Sequence, residues 1–256
     1  EETSLVTYNG RAFDLPLLRT RCVMNGIRPR EFRNLDLLYA ARRLWRRVHG
    51  GASLGLLERG VLDVERGLDV PGSMLPDIWF GFLREGDHPL MGAAMAHNAE
   101  DVASLGRLLA RAAGIYAEPR ACLASGGVDR AGLGRSLLAL GRREEGEALL
   151  EAALADGDEA AGLLLSRRYR REGRLGDRAR VVAALPETFA SMVERAKFHE
   201  HALRDFKGAL GWTARAEALA RASRRGFPPE ETVRLEARRA RLERKLAGSG
   251  GKERSS

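Results

Sequence analysis

Two short strings hold the residue types that chemistry needs. The first is Tyr8-Asn9-Gly10-Arg11-Ala12-Phe13-Asp14-Leu15, an Asn-Gly turn signal followed by a carboxylate where a helical pattern begins. The second is His97-Asn98-Ala99-Glu100-Asp101, at the head of a strongly amphipathic stretch. His97 and Asp101 stand at i and i+4, so they share one helix face. A carboxylate on each of two helices, with a histidine one turn away, suits a hydrolase that works with a divalent metal. Oxygen ligands hold Mg2+ or Mn2+, and the histidine orients or deprotonates the attacking water.

These side chains need elements to hold them. Residues 4–8, Ser-Leu-Val-Thr-Tyr, read as a short strand that ends at the Asn9-Gly10 turn. From Phe13 the pattern turns helical, with Leu17, Leu18, Cys22 and Val23 on one face, and it stops near Asn25-Gly26. The spacing of Leu35, Leu38, Ala41, Leu44 and Trp45 predicts a helix over residues 34–48. Ser53 is a candidate cap for a helix through Leu62, with Leu54, Leu57 and Val61 facing inward. Residues 69–87 read as loop around a short helix at Trp79 to Leu83, and Val102, Leu105, Leu108, Leu109 and Ala112 mark a long helix. One strand among these helices has no sheet partner in the sequence, and an unpaired strand is not a stable element.

Tyr116 to Arg130, with Pro119 and Gly126-Gly127, reads as a linker. Beyond it the pattern is helical throughout, and three segments that align on Ala148, Ala179 and Ala209 repeat at steps of 31 and 30 residues. That period is similar to tetratricopeptide-type helical hairpins, with an ordinary antiparallel bundle as the alternative. The last helix opens at Pro228-Pro229-Glu230-Glu231 and closes on Arg244-Lys245. The expected organisation is therefore residues 1–115, a linker at 116–130, a helical domain at 131–247 and a polar, disordered tail at 248–256.

The net charge of +8 is uneven: 15 basic and 14 acidic residues to Tyr116, but 28 and 21 after it. A basic half points to nucleic acid or another polyanion. Of the 43 basic residues 39 are arginine, an excess attributed to GC-rich coding and not to function. Cys22 and Cys122 are a hundred residues apart and belong to no Cys-x-x-Cys or Cys/His cluster, so neither a disulfide framework nor a zinc knuckle is supported. No apolar run reaches the ~18 residues of a membrane span, and no signal peptide is expected at Glu1-Glu2-Thr3-Ser4. A cytoplasmic location follows as the default.

Taken together, Leu5-Val-Thr-Tyr-Asn-Gly-x2-Phe13-Asp14, Leu35-Asp36-Leu37-Leu38, Ser53-Leu54 and His97-Asn98-x2-Asp101 resemble the YprB-type ribonuclease-H-like domain, a branch of the DEDD 3'-5' exonucleases. The likeness covers residues 4–112, and in that family a helical repeat region often follows. The resemblance implies an α/β fold, here a partial ribonuclease-H-like domain lacking its first strands, joined to an all-α, tetratricopeptide-like domain. It makes Asp14 and Asp101 the metal-binding aspartates of motifs two and three and puts His97 at the water-activating position. Asn9 and Phe13 would touch substrate, which would be single-stranded DNA or RNA. The implied cofactor is Mg2+ or Mn2+, clamping the two oxygens of a phosphodiester.

The family's first motif, Asp-x-Glu on a leading strand, has no counterpart before Asn9, and two carboxylates do not neutralise a pair of divalent ions. The chain by itself is therefore expected to be inactive or nearly so. The rival expectation is a non-catalytic module that binds nucleic acid or docks a protein through its C-terminal helices. Plainer roles stand beside each assignment. Asp14 and Asp101 would suit ordinary helix-start carboxylates, and His97 a satisfied, partly buried histidine. Asp36 reads as a polar residue at a strand-helix junction, outside the site. Arg42, Arg43, Arg46 and Arg47 read as a solvated face, and Trp45 and Trp79 as core.

Overall fold

The computed structural model describes residues 4–66, 70–222 and 228–250. By packing, the chain divides into two compact units, residues 1–145 and 146–256.

The first unit opens with β1 (Ser4–Thr7), followed by α1 (Asp14–Met24) and β2 (Arg33–Asp36). β1 and β2 pair in parallel, in a register that sets Ser4 against Arg33 and Thr7 against Asp36. This corrects two expectations: β1 does have a partner in the sequence, and residues 34–36 are strand, not helix. Parallel strands need a crossover, and α1 supplies it. The helix then starts three residues later than its apolar spacing suggests, because Asp36 caps it. Its Oδ1 accepts the Leu38 N–H at 3.1 Å, which fixes the start of α2 (Leu37–Leu44). Leu37, Leu38, Ala41 and Leu44 form the buried stripe of α2, and Trp45, 1% exposed, continues it.

Next come α3 (Arg46–His49), α4 (Leu54–Val61), a 3-10 turn at Gly72–Met74, α5 (Leu75–Glu85) and α6 (Met91–Ala117). Ser53 occupies the N-cap of α4 without making a side-chain cap bond. The short helix expected at Trp79 to Leu83 is the 11-residue α5, and it buries Ile78 and Gly81. Trp79, expected in the core, is half exposed and stacks on Phe82 with centroids 5.9 Å apart. Leu57, Ile78, Leu108, Ala112 and Ile115 join the α2 stripe as the unit's core, with Leu133 and Leu137 of α7 (Arg130–Ala139). Residues 116–130 comprise the end of α6, a 3-10 turn over Pro119–Leu123 with Pro119 and Cys122 buried, and Asp129, which caps α7. The packing division thus falls later in the chain than the composition suggested.

α1 differs from the helices around it. None of its residues is buried, and Leu17, Leu18, Val23 and Met24 are each at least half exposed. Leu35 of β2 is also half exposed. The apolar face read from the sequence is present, but no described residue covers it.

The helix α8 (Arg143–Ala155) runs across the division between the units. The second unit continues with α9 (Glu159–Arg171), α10 (Leu175–Ala184), α11 (Phe189–Phe198), a π turn at His199–Leu203, α12 (Phe206–Ala222) and α13 (Pro229–Gly250). Gly141 (φ 79°), Gly173 (φ 71°) and Arg204 (φ 57°) stand in the left-handed region just before α8, α10 and α12. Glycine adopts that region without a Cβ penalty, whereas Arg204 bears one. α13 continues to Gly250, past the expected closure at Lys245; residues 251–256 of the expected tail lie outside the described residues.

Candidate functional site

The Asn-Gly turn is built by Asp36. Asn9 takes φ 66°, a conformation that asparagine tolerates better than most side chains. Its N–H donates to Asp36 Oδ1 at 2.8 Å, and the Arg11 N–H donates to Oδ2 at 3.1 Å. Since Oδ1 also caps α2, one carboxylate fixes both the end of β1 and the start of α2. Tyr8 adds a second tether, its hydroxyl donating to the Ala52 carbonyl at 2.5 Å. Burial raises the Tyr8 hydroxyl pKa to about 12, with the Asp36 charge adding to the rise against Arg42. Asp36 is therefore part of the machinery that aims Phe13 and Asp14, a role the sequence reading left out. Phe13 is two-thirds exposed, and Asp14, the first residue of α1, is exposed with no ion pair among the described residues.

On α6 the expected pair is in place. His97 Nε2 lies 3.5 Å from Asp101 Oδ2. A residue not foreseen, Arg66, is bound to both. Its Nη1 is 3.1 Å from His97 Nδ1, and its Nη2 donates to Asp101 Oδ1. The same guanidinium forks onto Glu58 of α4, with Nε–Oε2 at 2.8 Å and Nη2–Oε1 at 2.6 Å. Glu58 is 1% exposed. A guanidinium has donors only, so His97 Nδ1 must accept, leaving the ring proton on Nε2 toward Asp101. Both ring nitrogens are thus engaged, and His97 activates no water in this arrangement. Arg66 is held strongly protonated, first by its hydrogen bonds to Glu58 and then, against the cost of burial, by Asp101.

Glu58 was visible in the sequence in one respect. It falls on the stripe Leu54, Leu57, Val61 at i+4 from Leu54, and a carboxylate on a buried stripe needs a cationic partner. Arg66 itself carries no such mark.

Among the described residues no three His, Cys, Asp or Glu side chains form a group that could hold a metal ion. Asp101, moreover, already has a guanidinium on Oδ1. The described donor set therefore does not fit Mg2+ or Mn2+. A cavity of about 430 Å3, lined in part by Trp45, Val61 and Ile115, contains none of the expected site residues.

The family model described as the RNase_H superfamily matches residues 1–113. The chain is also 32% identical over 261 residues to the uncharacterised protein YprB of Bacillus subtilis (strain 168), an alignment that covers 96% of this chain. The chain spans 61% of the length of that relative. No solved structure gives a significant match. No helix among the described residues is long and apolar enough to cross a membrane. A parallel strand pair with an Asn-Gly turn, an aspartate opening the crossover helix and a His/Asp pair on a later helix thus lie within residues 1–113, the range that the RNase_H superfamily model matches, in a chain similar to YprB.

Proposed function

We propose that this chain is part of a nucleic-acid phosphodiesterase of the 3'-5' exonuclease type. Asp14 and Asp101 are its second- and third-motif carboxylates, and His97 stands at the water-activating position. The observation that carries this reading is the His97–Asp101 pair, 3.5 Å apart on one face of α6 within the range that the RNase_H superfamily model matches. Members of that superfamily are typically dependent on a divalent metal, and Mg2+ or Mn2+ is the expected ion. Because the described carboxylates do not form a cage for it, hydrolysis requires acidic groups beyond those described, together with the release of His97 and Asp101 from Arg66. Asn9 and the exposed Phe13 would meet the single strand. The helical hairpins, which we read as a tetratricopeptide-like domain over residues 131–247, would serve as a docking platform in a cytoplasmic protein.

The test is degradation of a 5'-labelled single strand by the full-length product of the gene, with Mn2+. Stepwise shortening from the 3' end that disappears in Asp101→Ala supports the assignment. Undiminished shortening in that variant overturns it.

A second reading, a nucleic-acid-binding module without catalysis, is favoured by one observation. Arg66 occupies Asp101 Oδ1 and His97 Nδ1 together, so the pair is neutralised from within.

A further inference from the structure

The second unit carries two ion networks of different balance. In one, built on α8, α9 and α10, every cation meets a carboxylate. Arg168 is 2.9 Å from both Glu147 and Glu172, Arg174 is 2.8 Å from Glu147 and from Asp177, and Arg180 is 2.9 Å from Glu151. Such a network is satisfied by itself.

The other network is built on α9, α11, the π turn and α13, and positive charge is in excess there. Glu200, fully buried, receives Arg238 at 2.8 Å and Arg241 and Lys245 at 2.9 Å. Beside it, Lys197 is crowded by Arg238, Arg167 and Arg170. Glu194, whose charge acts on Lys197, is bound to Arg178 at 3.0 Å and to Ser166 at 2.7 Å. Arg167, Arg170 and Lys197 make no ion pair among the described residues. Burial lowers the Lys197 pKa, and the three guanidinium charges lower it further against Glu194.

Between α9, α11 and the start of α13 a cavity of about 350 Å3 opens, with Arg167, Lys197, Glu194 and Glu231 as its charged lining and Leu163, Phe189 and Val193 as its apolar part; Glu231 is itself held by Arg234 at 2.7 Å. Like charges held beside an apolar recess raise the energy of the free protein, and a phosphodiester chain lowers it. Guanidinium forks match phosphate oxygens, and an unstacked base suits the recess. A duplex keeps its bases stacked and has none to offer.

We propose that this face binds single-stranded nucleic acid, with Arg167, Arg170 and Lys197 on its phosphates and a base in the recess between α9 and α11. The choice of polyanion rests on the reading that this chain acts on nucleic acid; the site itself rests on the second unit alone.

The test is fluorescence anisotropy of a 5'-fluorescein oligothymidylate 15-mer with the whole chain, in EDTA so that no hydrolysis intervenes. Three phosphate contacts predict a slope of about −2 in log K against log salt, a roughly 20-fold loss from 50 to 200 mM NaCl. Arg170→Gln with Lys197→Gln should weaken binding at least tenfold and flatten that slope by about 1.4. Arg180→Gln, in the balanced network, should change it less than twofold. Should the double variant melt early, Arg167→Gln with Arg170→Gln, both exposed, takes its place with the same expectation.

Absence of binding at 50 mM NaCl overturns the proposal. So does an equal loss in Arg180→Gln, or a 15-residue polyglutamate that competes as well as the oligonucleotide, which would mark a site for acidic peptide. Asp101→Asn should leave binding unchanged. Hydrolysis that fails while this binding stands removes the exonuclease reading and not this one; binding lost in Asp101→Asn removes this one.

Discussion

The two units each hold a cluster of ions, and the clusters are built in opposite senses. In the first, the Arg66 guanidinium is shared by Glu58, Asp101 and His97. In the second, the Glu200 carboxylate is shared by Arg238, Arg241 and Lys245. An acidic centre with a borrowed cation and a basic centre with a borrowed anion invite ligands of opposite sign. The first includes the pair on which the proposed phosphodiester chemistry rests, and the second borders the proposed single-strand site at Arg167, Arg170 and Lys197. Solvent access differs too. Glu58 and Arg66 are largely withdrawn from water, whereas Arg241 and Lys245 remain about 40% exposed.

That difference in access orders the expected effects. Arg66→Ala leaves the buried Glu58 carboxylate without its fork and should cost about 3 kcal/mol in urea unfolding. Arg66→Lys, which keeps charge but not the fork, should fall between. A cost under ~1 kcal/mol for Arg66→Ala would break the comparison on its first side.

Glu200→Gln should cost less, about 2 kcal/mol, because two of its three cations can turn to water. Burial alone would raise the Glu200 pKa, but the hydrogen bonds from Arg241 and Lys245 and the nearby His201 and Arg241 charges hold it at about 2. A depressed carboxylate stabilises the fold above its unfolded pKa, and that contribution is lost as pH falls through the folded value. The stability gap between wild type and Glu200→Gln should therefore be full at pH 5 and close between about pH 4.5 and pH 2. A gap that persists at pH 2 would contradict the role given to Glu200.

The smallest effect is expected at Asp36→Ala, about 1 kcal/mol from the lost α2 cap and turn clamp. Hydrogen exchange at the Asn9, Arg11 and Leu38 amides should then rise together. A rise at Leu38 alone would separate the cap from the turn.

The sequence was most readable where structure is local. The Asn9-Gly10 turn, the start of α1 at Asp14 and the His97–Asp101 pair each depend on residues within one or two turns of each other. β2 was misread because Leu35, Leu38 and Ala41 fit a helical period, while the strand is defined by pairing with β1, whose matching residues lie 29 positions away. Trp79 was misread because α5 is apolar on more than one face, and only its Ile78–Gly81 side is buried. Arg66 could not be read, since its partner Asp101 lies 35 residues on. Nor could the Glu200 cluster, which joins the π turn to α13 across 38 to 45 residues. Local chemistry was visible, and the charges that restrain it were not.

The most direct test of opposed roles is a single assay on the full-length gene product that reads binding and cleavage of one labelled single strand, in Mn2+ at 50 mM NaCl. Asp101→Asn should abolish cleavage and leave the fraction bound unchanged, while Arg170→Gln with Lys197→Gln should reduce the fraction bound and leave the cleavage rate per bound strand unchanged. If both variants lower the same quantity by the same factor, the two clusters serve one site, and the division of labour proposed here is wrong.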